Sequence, residues 1–276
     1  MHLALNLLLY TCIACSAKSD NGTQPAPADT QAQPQTPAEI PVYSYQIVNT
    51  YPHDPNAFTQ GLVYLDGVLY EGTGPNNGRS GPGSSIRKVD LETGAVLQSH
   101  QLTEVVFGEG IAVFLNRLIQ LTWKSQLGFT YELESFDRLA QFTYPTEGWG
   151  LTCDGERLIM SDGTANLYFR DPFTFEETGR VEVRAQGRPI RNLNELEWVE
   201  GEVFANLWTT HTIARIDPAT GQVEGWIDAT GILSDADRQG LRVDVFNGIA
   251  YDPSKQRLFV TGKWWPKLYQ IELTSK

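Results

Sequence analysis

The chain has 276 residues, with 21 Lys plus Arg against 33 Asp plus Glu and a formal net charge of -12. That acidic balance excludes nucleic-acid binding, which needs a basic footprint, while the length suits one large β domain behind a short leader. Seven Trp and eleven Tyr fit β structure, an aromatic-lined pocket, or both.

Residues 3–14, LALNLLLYTCIA, form an apolar run too short to span a bilayer as a helix. Followed by small residues, it reads as a secretory signal. Ile13-Ala14-Cys15-Ser16 resembles the lipobox of bacterial lipoproteins, whose cysteine is acylated after cleavage. Cys12 stands where leucine is usual, and no Lys or Arg precedes the run. The expectation is an exported periplasmic or cell-envelope lipoprotein of a bacterium, with residues 1–15 as leader and Cys15 carrying lipid. Residues 16–41 are mostly Pro, Ala, Gln, Thr and Ser. They offer too little apolar surface to offset their ordering entropy and read as a disordered tether. Cys153 is then the only cysteine of the folded body, which excludes a disulfide framework and a cysteine-based zinc cluster. It reads as a small buried residue.

From residue 42 onward one layout recurs: a glycine-containing start, a short strand, a polar turn and a second strand. It appears at Phe58–Gly74, Phe107–Trp123, Gly148–Gly163, Leu193–Trp208 and Phe246–Trp264. Aligned at Gly61, Gly110, Gly150, Glu195 and Gly248, the units are 40–53 residues apart, a period typical of propellers and solenoids. A second hairpin follows each of the first four units, with Gly in the ETG and ATG turns where φ > 0 is needed. Two hairpins make a four-stranded blade. The last unit ends after its third strand, Lys267–Leu273. Its fourth can come from Val42–Tyr51, which closes the ring and removes an open sheet edge. The prediction is an all-β, five-bladed propeller spanning residues 42–276. Thr73–Ser85, rich in Gly, lacks the lysine and following helix of a phosphate loop and reads as a mobile rim loop. Ser234 before Asp235-Ala236-Asp237-Arg238 reads as the N-cap of a short helix within Thr230–Val245 that covers one face.

In a propeller the innermost strands converge at one mouth. Phe58-Thr59-Gln60, Phe107-Gly108-Glu109, Glu147-Gly148-Trp149, Asn192–Glu195 and Phe246-Asn247 should meet there. The second strands add Glu71, Trp123, Asp162, Asn206, Trp208 and Lys263-Trp264. Such an apolar cleft with a few convergent polar groups is a small-ligand site. Glu109 stands between two glycines, a setting that marks a sharp bend or a close approach. From the residues alone it is either a channel carboxylate bonding backbone amides or an acid/base. Asn192 and Asn194 are equally good turn residues, and Lys263 can be a snorkelling side chain. The four histidines show no metal-ligand spacing.

The motifs FTQG (58–61), YEGTG (70–74), FGEG (107–110), GWGL (148–151), SDG (161–163), LNELE (193–197), ANLW (205–208), NGIA (247–250) and TGKWWPK (261–267) occur in order from about Tyr51 to Leu273. Together they resemble the glutamine cyclotransferases of plant and bacterial type. The resemblance implies a five-bladed propeller that makes N-terminal pyroglutamate from glutamine, with Glu109 as catalytic acid/base. It places Phe58, Gln60, Trp123, Trp149, Asn194, Trp208 and Lys263 around the substrate. The implied partners are peptides or proteins with N-terminal Gln, met by a monomer that touches membrane only through its anchor. The lipobox-like leader and the longer Gly-rich loop at 74–85 depart from the pattern.

The chemistry is compatible with these residues. The substrate's α-amine attacks its own carboxamide, an intramolecular closure with high effective molarity. One carboxyl can take the amine proton and hand it to the departing nitrogen. No cofactor is required, and a structural calcium or zinc is not predicted. Two other readings remain at this stage. One is a metal-dependent propeller lactonase or esterase with Glu71, Glu109, Asp162 or Glu195 as oxygen ligands; the other is a non-catalytic surface binding module.

Overall fold

The computed structural model describes residues 39–75 and 83–276. The leader, Cys15, nearly all of the tether and the middle of the Gly-rich loop lie outside the described residues. Among those described, no helix is long and apolar enough to cross a membrane.

The first strand, β1 (Val42–Pro52), precedes a series of four-stranded antiparallel sheets. Strands β2 (Thr59–Leu65), β3 (Val68–Thr73), β4 (Ser85–Asp90) and β5 (Val96–Gln101) form one sheet in that order. The next comprises β6 (Gly108–Phe114), β7 (Arg117–Thr122), β8 (Leu127–Glu132) and β9 (Arg138–Thr143). A third is built from β10 (Leu151–Cys153), β11 (Leu158–Ser161), β12 (Asn166–Arg170) and β13 (Glu177–Glu182). A small hairpin that the sequence pattern does not announce, β14 (Arg184–Ala185) with β15 (Arg188–Pro189), follows it. Next come β16 (Leu193–Val199), β17 (Glu202–Leu207), β18 (Thr212–Ile216) and β19 (Val223–Asp228), which in that order form one half of an eight-stranded sheet that continues through the first strand and the last three. After helix α1 (Asp235–Arg238) come β20 (Phe246–Asp252), β21 (Arg257–Gly262) and β22 (Lys267–Ser275). Antiparallel pairing sets β1 beside β22, from Tyr43 opposite Ser275 to Pro52 opposite Lys267. The start of β1 also runs parallel to β19 at Val42 and Tyr43. The protein is thus all-β with almost no helix, in the manner of a β-propeller.

Local chemistry explains the turns. Asp66-Gly67 and Glu200-Gly201 both take positive φ, as two-residue hairpin turns matched to strand twist require. Between the third and fourth strands an acid caps the turn: Asp90 accepts from the Thr93 amide at 2.8 Å, and Asp171 from that of Thr174 at 2.8 Å. Ser234 caps α1, its side chain accepting from the Asp237 amide at 3.1 Å. The loop around α1 lies over the core, with Ile232 buried and Leu233 and Val243 packed beside it.

The repeated glycines mark where the inner strands touch. A Cβ on Gly61 would stand 2.5 Å from the Ile111 amide, one on Gly110 2.6 Å from that of Leu151, and one on Gly150 1.9 Å from the Asn194 carbonyl. Each inner strand therefore approaches the next backbone to backbone, which only glycine permits. In the fourth repeat Glu195 replaces glycine, and its carboxylate accepts from the Leu62 amide at 3.3 Å and the Ile249 amide at 2.9 Å.

Candidate active site

Bulges at the leading ends of the inner strands position the site. The register slips between Thr59 and Gly61, between Gly108 and Ile111, and between Leu193 and Leu196. A bulge re-aims a side chain out of the ordinary pleat. The residues inside these slips include Gln60, Glu109 and Asn194, and all three line one cavity of about 300 Å³. Phe58, Phe107 and Trp149, just ahead of their strands, line it too, as do Trp123, Trp208 and Lys263, just beyond theirs. Every residue that the sequence placed around the substrate is brought together here. The cavity also takes Asp244.

Glu109 is 5% exposed. Among the described residues none hydrogen-bonds its carboxyl, so it is not spent on backbone amides. Burial drives its pKa well above the ordinary carboxylate range; Lys263 opposes the shift and Glu147 adds to it. Lys263 is buried as well, and its pKa is lowered by burial against the pull of Glu109 and Asp244. Its Nζ lies 4.9 Å from the centre of the Phe58 ring, a cation–π contact. Desolvation thus disfavours the charged form of both groups.

The aromatic walls interlock. Phe107 meets Phe58 at 6.1 Å and Trp123 at 5.5 Å, both edge to face, and Trp149 meets Trp208 at 5.5 Å and 85°. Trp208 is 42% exposed and stands at the rim. The polar floor is oriented by a chain of amides. Asn247 Nδ2 donates to the Thr59 carbonyl at 3.0 Å, so its Oδ1 must accept, and Asn194 Nδ2 donates to it at 2.8 Å. That leaves Asn194 Oδ1 as an acceptor. Among the described residues the buried Gln60 Oε1 has no partner, and a buried polar atom in that state is ready for a ligand.

Several residues expected at the mouth are elsewhere. Glu71 is buried in an ion-pair cluster: Arg87 pairs with it, Thr59 Oγ1 donates to it at 2.7 Å, and His53 Nε2 lies at 3.1 Å. Burial alone would raise its pKa, but Arg87 and His53 outweigh that and hold it far below the usual range. Asp162 accepts from Tyr168 Oη at 2.9 Å and the Thr164 amide at 3.0 Å. Asn206 Oδ1 caps the Gly248 amide at 2.9 Å. Trp264 is 2% exposed and does not line the cavity. Cys153 is half-buried rather than buried. Among the described residues no three His, Cys, Asp or Glu side chains converge to hold a metal ion.

Asp244 lies outside the residues that the sequence brings to the mouth. Asp244 N donates to the Lys263 carbonyl at 2.9 Å and Lys263 N to that of Val245 at 3.0 Å, which extends the β20–β21 hairpin and sets the acid beside the lysine. Glu147 is expected at the mouth, and the motifs assign it no role. Its Oε2 accepts from both Trp123 Nε1 at 2.7 Å and Trp149 Nε1 at 2.9 Å.

Residues 21–273 match the sequence profile of the family described as glutamine cyclotransferase. The chain is 46% identical over 231 residues to a glutaminyl-peptide cyclotransferase of Arabidopsis thaliana, covering 83% of this chain and 71% of that protein. Its structure is similar to the crystal structure of Myxococcus xanthus glutaminyl cyclase, with a TM-score of 0.78 and 37% identity over 86% of this chain and all of that one. On the strength of the profile and these relatives, the chain belongs to the glutamine cyclotransferase family.

Proposed function

We propose that this protein cyclises the N-terminal glutamine of peptides to pyroglutamate with release of ammonia, and that Glu109 relays the proton. The observation that carries this reading is Glu109 itself, a buried carboxyl without a hydrogen-bond partner among the described residues, held in an indole-walled cavity with a buried lysine. In the scheme the neutral α-amine attacks the side-chain carbonyl carbon and the new C–N bond forms. The amine proton passes to the Glu109 carboxylate and from there to the carboxamide nitrogen. The old C–N bond then breaks and ammonia leaves. An α-amine has a pKa near 7.7–8.0, so a useful fraction is neutral at physiological pH. In this scheme Asn194 Oδ1 accepts from the substrate's nitrogen. Lys263 and the Gln60 amide are the donors for the oxyanion, a role typically worth about 2.7–4 kcal/mol per donor. Phe58, Trp123, Trp149 and Trp208 supply apolar contact. Nucleophile and leaving group both belong to the substrate, so the scheme calls for no cofactor.

The wider reading has three parts. The sheets are the blades of a five-bladed propeller whose ring β1 closes; the order of the sheets and the pairing of β1 with β22 support this. A monomer is the working form in this reading. The leader directs export and Cys15 anchors the protein in a bacterial envelope, on the strength of the lipobox resemblance alone.

Ammonia release from a Gln-initiated dipeptide tests the activity. The purified protein should release one ammonia per peptide consumed and give a product lacking a free amine, and an unconsumed peptide would overturn the reading. Cys15→Ser tests the anchor: the protein should move from the membrane fraction to the soluble fraction, and an unchanged distribution would reject lipidation at this residue.

A further inference from the structure

We propose that Glu147 is the positioning residue of this site, locking Trp123 and Trp149 into one rigid wall and placing its negative charge behind them. The proposal rests on the reading of Glu109 as the proton carrier. Trp123 follows β7 in one sheet and Trp149 precedes β10 in the next. The two indoles are thus borne by separate sheets, whose backbones adjoin where Gly148 N donates to the Trp123 carbonyl at 2.9 Å. A single oxygen, Glu147 Oε2, accepts both indole N–H groups, at 2.7 and 2.9 Å. A carboxylate oxygen has lone pairs for two donors, and bonds to an ionised acceptor are the stronger kind. Two ring orientations are therefore set by one group.

The other side of the clamp is also held. Lys124 Nζ lies 3.8 Å from Glu147 Oε1 and 4.0 Å from the centre of the Trp123 ring. The lysine thus caps Trp123 while partly balancing Glu147. Trp149 in turn meets Trp208 edge to face, so the order imposed on the two inner indoles extends to the exposed one at the rim. An indole whose N–H is taken presents only its apolar face to the substrate, which keeps water from competing for the carboxyl of Glu109.

The charge has its own effect. The titratable groups acting on Glu109 are Lys263, Glu147 and Tyr144, and Tyr144 is fixed by bonds to the backbone of Thr122 and Leu127. Glu147 is itself faced by Lys124. Of these, Glu147 is the like charge, and a like charge favours the protonated form of its neighbour. Removing it should move the Glu109 titration to lower pH.

Two substitutions separate the roles. In Glu147→Gln the amide oxygen can still accept both indoles but the charge is gone. In Glu147→Ala both are lost. With a Gln-initiated dipeptide, Glu147→Ala should lose roughly 10–100-fold in kcat/KM, the worth of a hydrogen bond to a charged acceptor. Glu147→Gln should lose less, and its pH profile should shift to lower pH. In 15N-labelled protein the indole N–H signals of Trp123 and Trp149, identified through Trp123→Phe and Trp149→Phe, should be protected from exchange in the wild type and in Glu147→Gln but not in Glu147→Ala. Wild-type kcat/KM in Glu147→Ala overturns the proposal, as does equal loss in both variants with an unmoved pH profile and unchanged indole protection. Glu109→Gln assayed in parallel keeps the two readings apart: full turnover there defeats the proton relay, whereas the indole signals report on the clamp with no turnover at all.

Discussion

Glu109→Gln should lower turnover by roughly 10²–10⁴, the usual contribution of a positioned general acid–base group. The amide keeps the shape and polarity of the side chain but can neither take the amine proton nor return it to the leaving nitrogen. The carboxyl sits in a site where burial raises its pKa and Lys263 restrains the rise, so its proton affinity exceeds that of a solvated glutamate. The pH dependence of turnover should accordingly show a limb above the ordinary carboxylate range in the wild type, absent from the residual activity of Glu109→Gln. Substrate binding should change little, because the aromatic walls are untouched. Trp208→Ala offers the contrast: it removes apolar contact made in both ground and transition states, so KM should rise while kcat holds. If Glu109→Gln raised only KM, the glutamate would be a binding residue and another proton carrier would be needed.

Removing β1 should abolish the stable fold, although the strand lies away from the cavity. Pairing with β22 extends along β1 from Tyr43 to Pro52. Tyr51 is 3% exposed and packs edge-on against Phe259 at 6.0 Å. Emptying one such aromatic site costs about 3–5 kcal/mol, against a total stability of about 5–15 kcal/mol for a typical domain. Loss of the whole strand adds the contacts of Tyr43 and Tyr45 to the core and leaves β22 as an unpaired edge open to aggregation. A chain beginning at His53 should be insoluble or melt far below one beginning at Ala38. Equal melting temperatures for the two would show that β1 is dispensable.

Much of this was legible in the residues. The spacing of Gly61, Gly110 and Gly150 marks the repeat because each glycine meets the backbone of the next repeat at a distance no side chain tolerates. The strands follow from alternation and the hairpins from Asp-Gly and Thr-Gly turns, all of which are local signals. Ser234 announces α1 for the same reason. The cavity's aromatic and polar residues were named by the motifs that carry the family resemblance, and the geometry then gathered them.

The repeat, its strands and the set of residues at the leading ends of the inner ones are thus written in local order along the chain. Which polar groups among them face the cavity is settled by packing between distant segments. Glu71 and Glu109 each precede a glycine, yet Arg87 and His53 take up the first in a buried ion pair while the second has no hydrogen bond from the described residues. Asp244 reaches Lys263, and Glu147 reaches Trp123, across pairings between separate segments. A carboxylate's chemistry depends on how much water it has lost and which charges replace that water. Those are properties of its neighbours in space, and no local pattern in the chain encodes them.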